Sequence, residues 1–289
     1  MASRAPMQSM DEVLTTDDGV KLHLRRWPAP SAAGGKVHGT VQIVHGLGEH
    51  IGRYEALAAS LNAAGWHVGG HDQRGHGRST GRRGGIAGKH ALLLDLSAVS
   101  DHLRGHGRHI LLGHSMGGLV AARFVTESLM YKTRRWSREV DGLVLSSPAL
   151  DLGLNFAQKG LLAVLSRVAP NLPVGNGLNP KWISRDPAVV RNYLDDPLVH
   201  KRITPRLARF LASEGRVVLH RAPRWRTPTL LLWAGADRCV APAGSAQFAA
   251  AAPPQVLTPQ VFPELFHEIF NEPEREQVIA HLTTWLQRF

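Results

Sequence analysis

Ile110-Leu111-Leu112-Gly113-His114-Ser115-Met116-Gly117-Gly118-Leu119-Val120-Ala121-Ala122 is the stretch on which the fold turns. A short apolar run, suited to a buried strand, ends in the pentad Gly113 to Gly117. A helix-like stretch through Phe124 and Val125 follows at once. A G-x-S-x-G pentad in that setting makes a turn so tight that only small residues can flank the serine. The turn lifts the hydroxyl above a sheet, at the start of a helix. The Met116 N–H and the positive helix end then face any negative charge that forms on a bound carbonyl. Glycine and serine are common, so the pentad alone says little; its place between a strand and a helix is what counts.

The same alternation extends outward. Val20 to Trp27 alternates like an edge strand, with Asp17-Asp18-Gly19 as the turn before it. Thr40 to Val44 is a β-branched run that ends at His45-Gly46-Leu47-Gly48. Tyr54 to Leu61 has helical spacing and stops at Gly65; Trp66 to Gly70 is a short strand before a Gly/Arg-rich loop, Asp72 to Gly88. A helix from about His90 to Leu103 precedes the pentad, and Leu143-Val144-Leu145 is a further buried strand. Between Asp151 and Gly215 no run reads as a strand, and helix-like pieces are separated by Pro170, Pro173, Pro180, Pro187, Pro197 and Pro205. The rhythm resumes with Thr229 to Gly235, an Ala-rich helix (Ala243 to Ala252), a strand near Val256 to Phe262, and a C-terminal helix from Glu276 to Leu286. Strands alternating with helices imply an α/β protein, its mostly parallel sheet covered on both faces. The expected organisation is a core in two parts, residues 1–150 and 216–289, interrupted by a helical cap at 151–215.

Composition narrows the partners. The chain has 289 residues, 43% of them apolar, which is enough for a large core and excludes wholesale disorder. A net charge of +11 raises nucleic acid as a partner, but the arginines are scattered and no aromatic-interleaved recognition module appears. A basic surface suited to anionic membranes fits better. One cysteine, Cys239, rules out an internal disulfide and suits a reducing compartment. Met1 to Met7 has no apolar core of a secretory signal, and no apolar run approaches the ~18 residues of a spanning helix. The expectation is a cytoplasmic protein, able to touch a membrane peripherally.

A serine hydroxyl needs a base within hydrogen-bond reach and an acid to orient that base. In such a sheet, sites gather at the carboxyl ends of the strands. Asp237 follows the Leu230 to Gly235 strand, and His267 follows the last strand, giving the chain order Ser115, Asp237, His267. The chain has 16 histidines, so position singles out His267 rather than residue type. His281 falls within the final helix as a packing residue, and His114 should point away from the hydroxyl beside it. Asp151, just beyond the preceding core strand, is the rival acid; Asp195 and Asp196 belong to the cap. Glycines after a strand let the backbone approach a ligand, so the Leu47 N–H can pair with that of Met116 around an oxyanion. Cys239 is read as a small packing residue near the site. No His or Asp spacing suggests a metal site, and no cofactor is implied.

His45-Gly46-Leu47-Gly48-Glu49-His50, Arg53-Tyr54, Asp72 to Ser79, Gly113 to Gly118, Asp196-Pro197-Leu198-Val199, and Phe266-His267-Glu268 with Asn271-Glu272 together resemble the monoacylglycerol lipase/lysophospholipase branch of the α/β-hydrolases. The resemblance spans nearly the whole chain. It implies an α/β-hydrolase fold, a Ser115–Asp237–His267 triad with Leu47 and Met116 amides as the oxyanion hole, and a mobile cap over an apolar acyl channel. The residues of the cap agree with a lipid. Leu152, Leu154, Phe156, Leu161, Leu162, Val164, Leu165 and Val168 give a broad apolar face, suited to lining an acyl pocket, resting on a membrane, or packing on the sheet. The loop Arg74 to Arg83 reads as a structural crossover. The expected activity is hydrolysis of single-chain lipid esters through an acyl-enzyme. An aminopeptidase of the same fold and a non-catalytic ligand-binding relative are the alternatives. Dehalogenase chemistry would want an aspartate where Ser115 stands.

Overall fold

The computed structural model describes residues 9–30, 37–130 and 132–289, so the Met1 to Met7 stretch lies outside it. Among the described residues, eight strands form one sheet in the order β1-β2-β4-β3-β5-β6-β9-β10. These are β1 (Met10–Thr15), β2 (Lys21–Trp27), β3 (Gly39–Val44), β4 (Trp66–His71), β5 (Arg108–His114), β6 (Gly142–Ser146), β9 (Thr229–Ala234) and β10 (Leu257–Phe262). Every neighbouring pair from β4 to β10 is parallel, while β2 runs antiparallel to both β1 and β4. β2 was expected at the edge; instead the Asp17-Asp18-Gly19 turn closes a hairpin, and β1 takes the edge.

Period-two alternation sends successive side chains of each strand to opposite faces. Ile110 and Leu112 of β5 join a core with helices α1 (Glu55–Ala63) and α8 (Arg275–Leu286). Leu111 joins the other core, with α2 (Ala91–Leu103), α3 (Met116–Thr126), α6 (Pro205–Arg221) and α7 (Pro242–Ala251). Both faces are therefore apolar, as a parallel sheet between two helical layers requires.

Residues between β6 and β9 add nothing to this sheet. They supply α4 (Phe156–Val168), α5 (Pro187–Asp195), α6, and a two-residue ladder of β7 (Val174–Gly175) with β8 (Arg202–Ile203). α6 continues through residue 215 without a break. A Cβ at Gly215 would run into the Leu150 carbonyl, so the glycine is there for close packing. α4 has no buried residue, although a reciprocal Asn155–Gln158 capping box starts it.

Burial leaves its mark on the histidines. His45, His71, His76, His109 and His114 are all buried, and desolvation lowers each below the ordinary imidazole value: His71 to about 3, His109 and His114 to about 4. Unfolded, these rings would take up protons near pH ~6.5. The unfolded chain thus binds more protons below that pH, and stability is present above it and lost as pH falls toward 4. The raised values of His23 and His267 oppose this trend but are fewer. The thermal midpoint should fall steadily between pH 6.5 and 4, with net proton uptake on unfolding. A midpoint flat across that range in calorimetry would contradict buried neutral rings.

Candidate active site

Ser115 sits between β5 and α3 with φ 54° and ψ −120°, a conformation rare for a residue with a side chain. Its neighbours explain how the turn closes. A Cβ at Gly117 would run into the Val44 carbonyl, one at Gly113 into the Gly117 carbonyl, and one at Gly118 into Pro148. The Ser115 N–H donates to Ser146 O at 3.0 Å, tying the turn to the end of β6.

The loop after β10 brings His267 over the serine. Its Nε2 lies 2.8 Å from Ser115 Oγ, and its Nδ1 lies 2.6 Å from Asp237 Oδ2. The other Asp237 oxygen accepts from the N–H groups of Cys239 at 2.7 Å and Val240 at 3.1 Å, which holds the carboxylate after β9. Burial on its own would lower the His267 pKa; the charge and hydrogen bond of Asp237 outweigh it, with Glu268 and Glu49 adding, and the net direction is upward. Asp237, not Asp151, thus meets the imidazole. Asp151 is exposed and caps its own turn by accepting from the Gly153 N–H. His114 Nδ1 lies 3.1 Å from Ser146 Oγ, and its ring packs against that of His267 with centroids 4.7 Å apart. His281 is exposed on α8, edge-on to Phe262, rather than packed inside.

The loop after β3 abuts the serine: a Cβ at Gly46 would lie 3.3 Å from Ser115 Cβ. His45 Nε2 accepts from the Gln73 N–H, so its Nδ1 carries the proton and donates to Gly46 O at 2.7 Å. Glu49 Oε1 accepts from Gly46 N–H at 2.5 Å. Among the described hydrogen bonds, the N–H groups of Leu47 and Met116 have no protein acceptor, and both residues line the cavity beside Ser115.

A charged cluster unassigned in the sequence reading braces this loop. Glu49 also accepts from Tyr54 Oη at 2.8 Å and from Arg53 at 2.9 Å. Arg53 grips both oxygens of Glu268, next to His267, at 2.7 and 2.8 Å, and lies over the Tyr193 ring of α5. The spacing Glu49-x-x-x-Arg53 was the available signal. Its meaning depended on Glu268, distant in sequence.

Two spaces meet at Ser115. One is an apolar cavity of about 350 Å³ beneath α4, lined by Leu152, Leu154, Leu161, Leu162, Leu165, Ala208 and Leu211, among others. Among the described residues, no Asp, Glu, Lys, Arg or His lines it. The other is a recess of about 30 Å³ with Asn176, Asn179 and Tyr193 on its wall. Cys239, expected as a packing residue, borders both, and burial beside Asp237 pushes its thiol well above the usual range. None of residues 74–83 lines either space.

This arrangement of sheet, elbow and strand-end residues is that of an α/β-hydrolase. The chain belongs to the family described as serine aminopeptidase, S33, whose model matches residues 35–274. It is 35% identical over 256 residues to a monoacylglycerol lipase of Mycolicibacterium smegmatis, covering 86% of this chain and 88% of that protein. It is 31% identical to an abhydrolase domain-containing protein of Dictyostelium discoideum, over 97% of this chain but only 29% of that longer protein. The crystal structure of a monoacylglycerol lipase from Paleococcus ferrophilus superposes with a TM-score of 0.81 at 33% identity, covering 92% and 98% of the two chains.

Arg53 neutralises two carboxylates that are almost fully buried. Arg53→Ala should therefore cost about 3–5 kcal/mol of stability. Arg53→Lys should restore only part, because an ammonium cannot grip Glu268 with two nitrogens while reaching Glu49. Urea unfolding reads both; an unchanged midpoint in the alanine variant would show that the cluster braces nothing.

Proposed function

We propose that the protein hydrolyses carboxylic esters of single-chain lipids, monoacylglycerols foremost, through an acyl-enzyme on Ser115. The observation that supports this most is the uncharged cavity of about 350 Å³ opening at the Ser115 hydroxyl, which suits an acyl chain. The adjoining recess, with Asn176 and Asn179 on its wall, offers polar groups to the alcohol part of the ester. The similarity to two monoacylglycerol lipases points the same way.

In this reading Ser115 Oγ attacks the ester carbonyl carbon as its proton passes to His267 Nε2. Asp237 keeps the Nδ1–H tautomer and stabilises the imidazolium. The Leu47 and Met116 N–H groups hold the oxyanion, each such donor worth roughly 3 kcal/mol in the transition state. Collapse breaks the C–O bond, and His267 returns the proton to the leaving alcohol. Water, deprotonated by His267, then cleaves the acyl-enzyme to fatty acid and restores Ser115.

The family description names an aminopeptidase, the reading that would need a free carboxylate for a substrate ammonium. Glu49 and Glu268 are the carboxylates at the recess, and both are occupied by Arg53 and further donors. The ester reading is therefore preferred. In this reading the part of 151–215 that precedes α6 acts as a cap; the expected boundary at 215 falls inside α6, whose Leu207, Phe210 and Leu211 pack in the sheet core. The cap helix α4 exposes Phe156, Leu161, Val164 and Val168, an apolar face fit for peripheral contact with a lipid surface. No described helix is long and apolar enough to cross a membrane. A cytoplasmic setting fits the single cysteine.

Ser115→Ala should lower turnover of a monoacylglycerol on the order of 10⁶-fold and Asp237→Asn on the order of 10⁴-fold, with Asp151→Asn near normal. The acid limb of kcat/KM should lie above pH ~6.5, because His267 must be unprotonated and its value is raised; without the Asp237 carboxylate the limb should move to lower pH. An aminoacyl arylamide should be left intact. Cleavage of the arylamide with the ester untouched would overturn the proposal.

A further inference from the structure

A second groove, of about 730 Å³, runs between α4 and α6 on the side away from Ser115. Leu152, Leu154 and Leu162 form a wall common to it and the acyl cavity. Two ridges face each other across it. Lys159 and Arg167 stand two helical turns apart on α4, and Arg209 and Arg216 stand two turns apart on α6.

What sets these four cations apart is that they share one groove with a single acid on its lining. Arg25, Arg53, Arg74, Arg123 and Arg185 each grip a carboxylate. Among the described residues, Lys159, Arg167, Arg209 and Arg216 have no carboxylate within ion-pair distance. Arg167 donates to the Ala163 carbonyl, Arg209 to Ser166 Oγ, and the Lys159 ammonium rests over the Phe156 ring. Asp151 is the one acid on the lining, and it is turned to the Gly153 N–H. Four exposed cations of one sign thus sit close together with nothing to neutralise them.

Their setting on α4 says what would. Phe156 is 92% exposed and Val168 72%, with Val164 and Leu161 exposed on the same outward face. Lys159 and Arg167 lie on the flank of that face. If the apolar side chains enter the acyl layer of a membrane, the cations come to rest at head-group depth, their stems along apolar surface.

We propose that the α4–α6 groove seats the anionic head groups of a phospholipid leaflet, so that the protein docks selectively on negatively charged membranes. This rests on the peripheral contact read above and gives that contact its lipid selectivity. Each cation at an anionic surface adds roughly fivefold in affinity, and all four together several hundredfold. Docking this way sets the acyl cavity, whose wall the groove shares, against the leaflet.

The test is co-sedimentation of the full chain with vesicles of phosphatidylcholine alone or mixed three to one with phosphatidylglycerol. Tight binding to the mixed vesicles only is expected, weakening as salt is raised. The variant K159Q/R167Q/R209Q/R216Q should lose more than about a hundredfold in that binding, while hydrolysis of a soluble short-chain ester stays normal as the check on folding. The variant K132Q/R224Q/R226Q/R288Q, with the same net charge but its changes away from the groove, should bind nearly as the parent. If the first variant misfolds, the pair K159Q/R167Q, confined to the exposed helix α4, carries the test with an expected loss of about twenty-fivefold. Equal binding to both vesicles would overturn the groove while leaving the apolar contact. Binding to neither would overturn both, with ester hydrolysis unaffected. Equal loss in the two variants would reduce the effect to net charge and overturn the site. Decanoate binding that the first variant loses, with vesicle binding intact, would assign the groove to a free fatty acid instead.

Discussion

The backbone of Ser115, held at positive φ between the central strand β5 and helix α3, is the constraint on which the rest depends. Such a conformation costs on the order of 1–3 kcal/mol and persists only where its surroundings over-determine it. Here they do. Gly113, Gly117 and Gly118 admit no side chain, the Ser115 N–H is tied to β6, and the Ser115 carbonyl accepts from Ala149 N–H at 2.9 Å. Because β5 lies between β3 and β6, the loops that follow the neighbouring strands open around the serine. The Leu47 amide arrives from β3, Asp237 from β9 and His267 from β10. A parallel sheet therefore gathers groups separated by more than a hundred positions along the chain with little further design.

Electrostatics at the site follow from burial. His267 is enclosed, which by itself would disfavour its charged form, and Asp237 reverses that preference. Glu49 and Glu268 lie close by, yet Arg53 absorbs their charge and turns it to mechanical use, linking the loop after β3 to the loop after β10. The same residue lies over Tyr193 of α5. Gly48 O accepts from the His200 N–H at 2.8 Å, and Glu268 N–H donates to Ile183 O at 2.8 Å. The stretch 183–200 is thus fastened to the loops after β3 and β10, whereas α4 has no buried residue.

Most of this was legible in the sequence where the signal was local or lay at a strand end. The pentad, the strand runs at Thr40 to Val44 and Thr229 to Gly235, and the positions of Asp237 and His267 needed only periodicity and chain order. β1 was not legible. Its Met-Asp-Glu-Val-Leu-Thr run has four exposed and no buried residues and carries two acids, so no apolar pattern marks it, and the sequence alone puts β2 at the edge. The boundary near Gly215 rested on the absence of strand-like runs after Asp151; only the approach of the Leu150 backbone reveals why a glycine stands at that point of α6. The apolar face of 152–168 could line a pocket, meet a membrane or pack on the sheet. The structure divides it, with Leu152, Leu154, Leu162 and Leu165 on the cavity and Phe156, Val164 and Val168 facing solvent. The Arg53 clamp was invisible because its second carboxylate lies 215 positions away.

Chemistry at Ser115, fed from an apolar chamber beneath α4, is the claim at the centre of this account. Labelling with an alkyl fluorophosphonate, followed by peptide mass mapping, tests it most directly. A single stoichiometric adduct on Ser115, formed faster as the alkyl chain lengthens to fill the chamber, is the predicted result. An adduct on another residue, or full ester hydrolysis by protein that the reagent leaves unmodified, would contradict it.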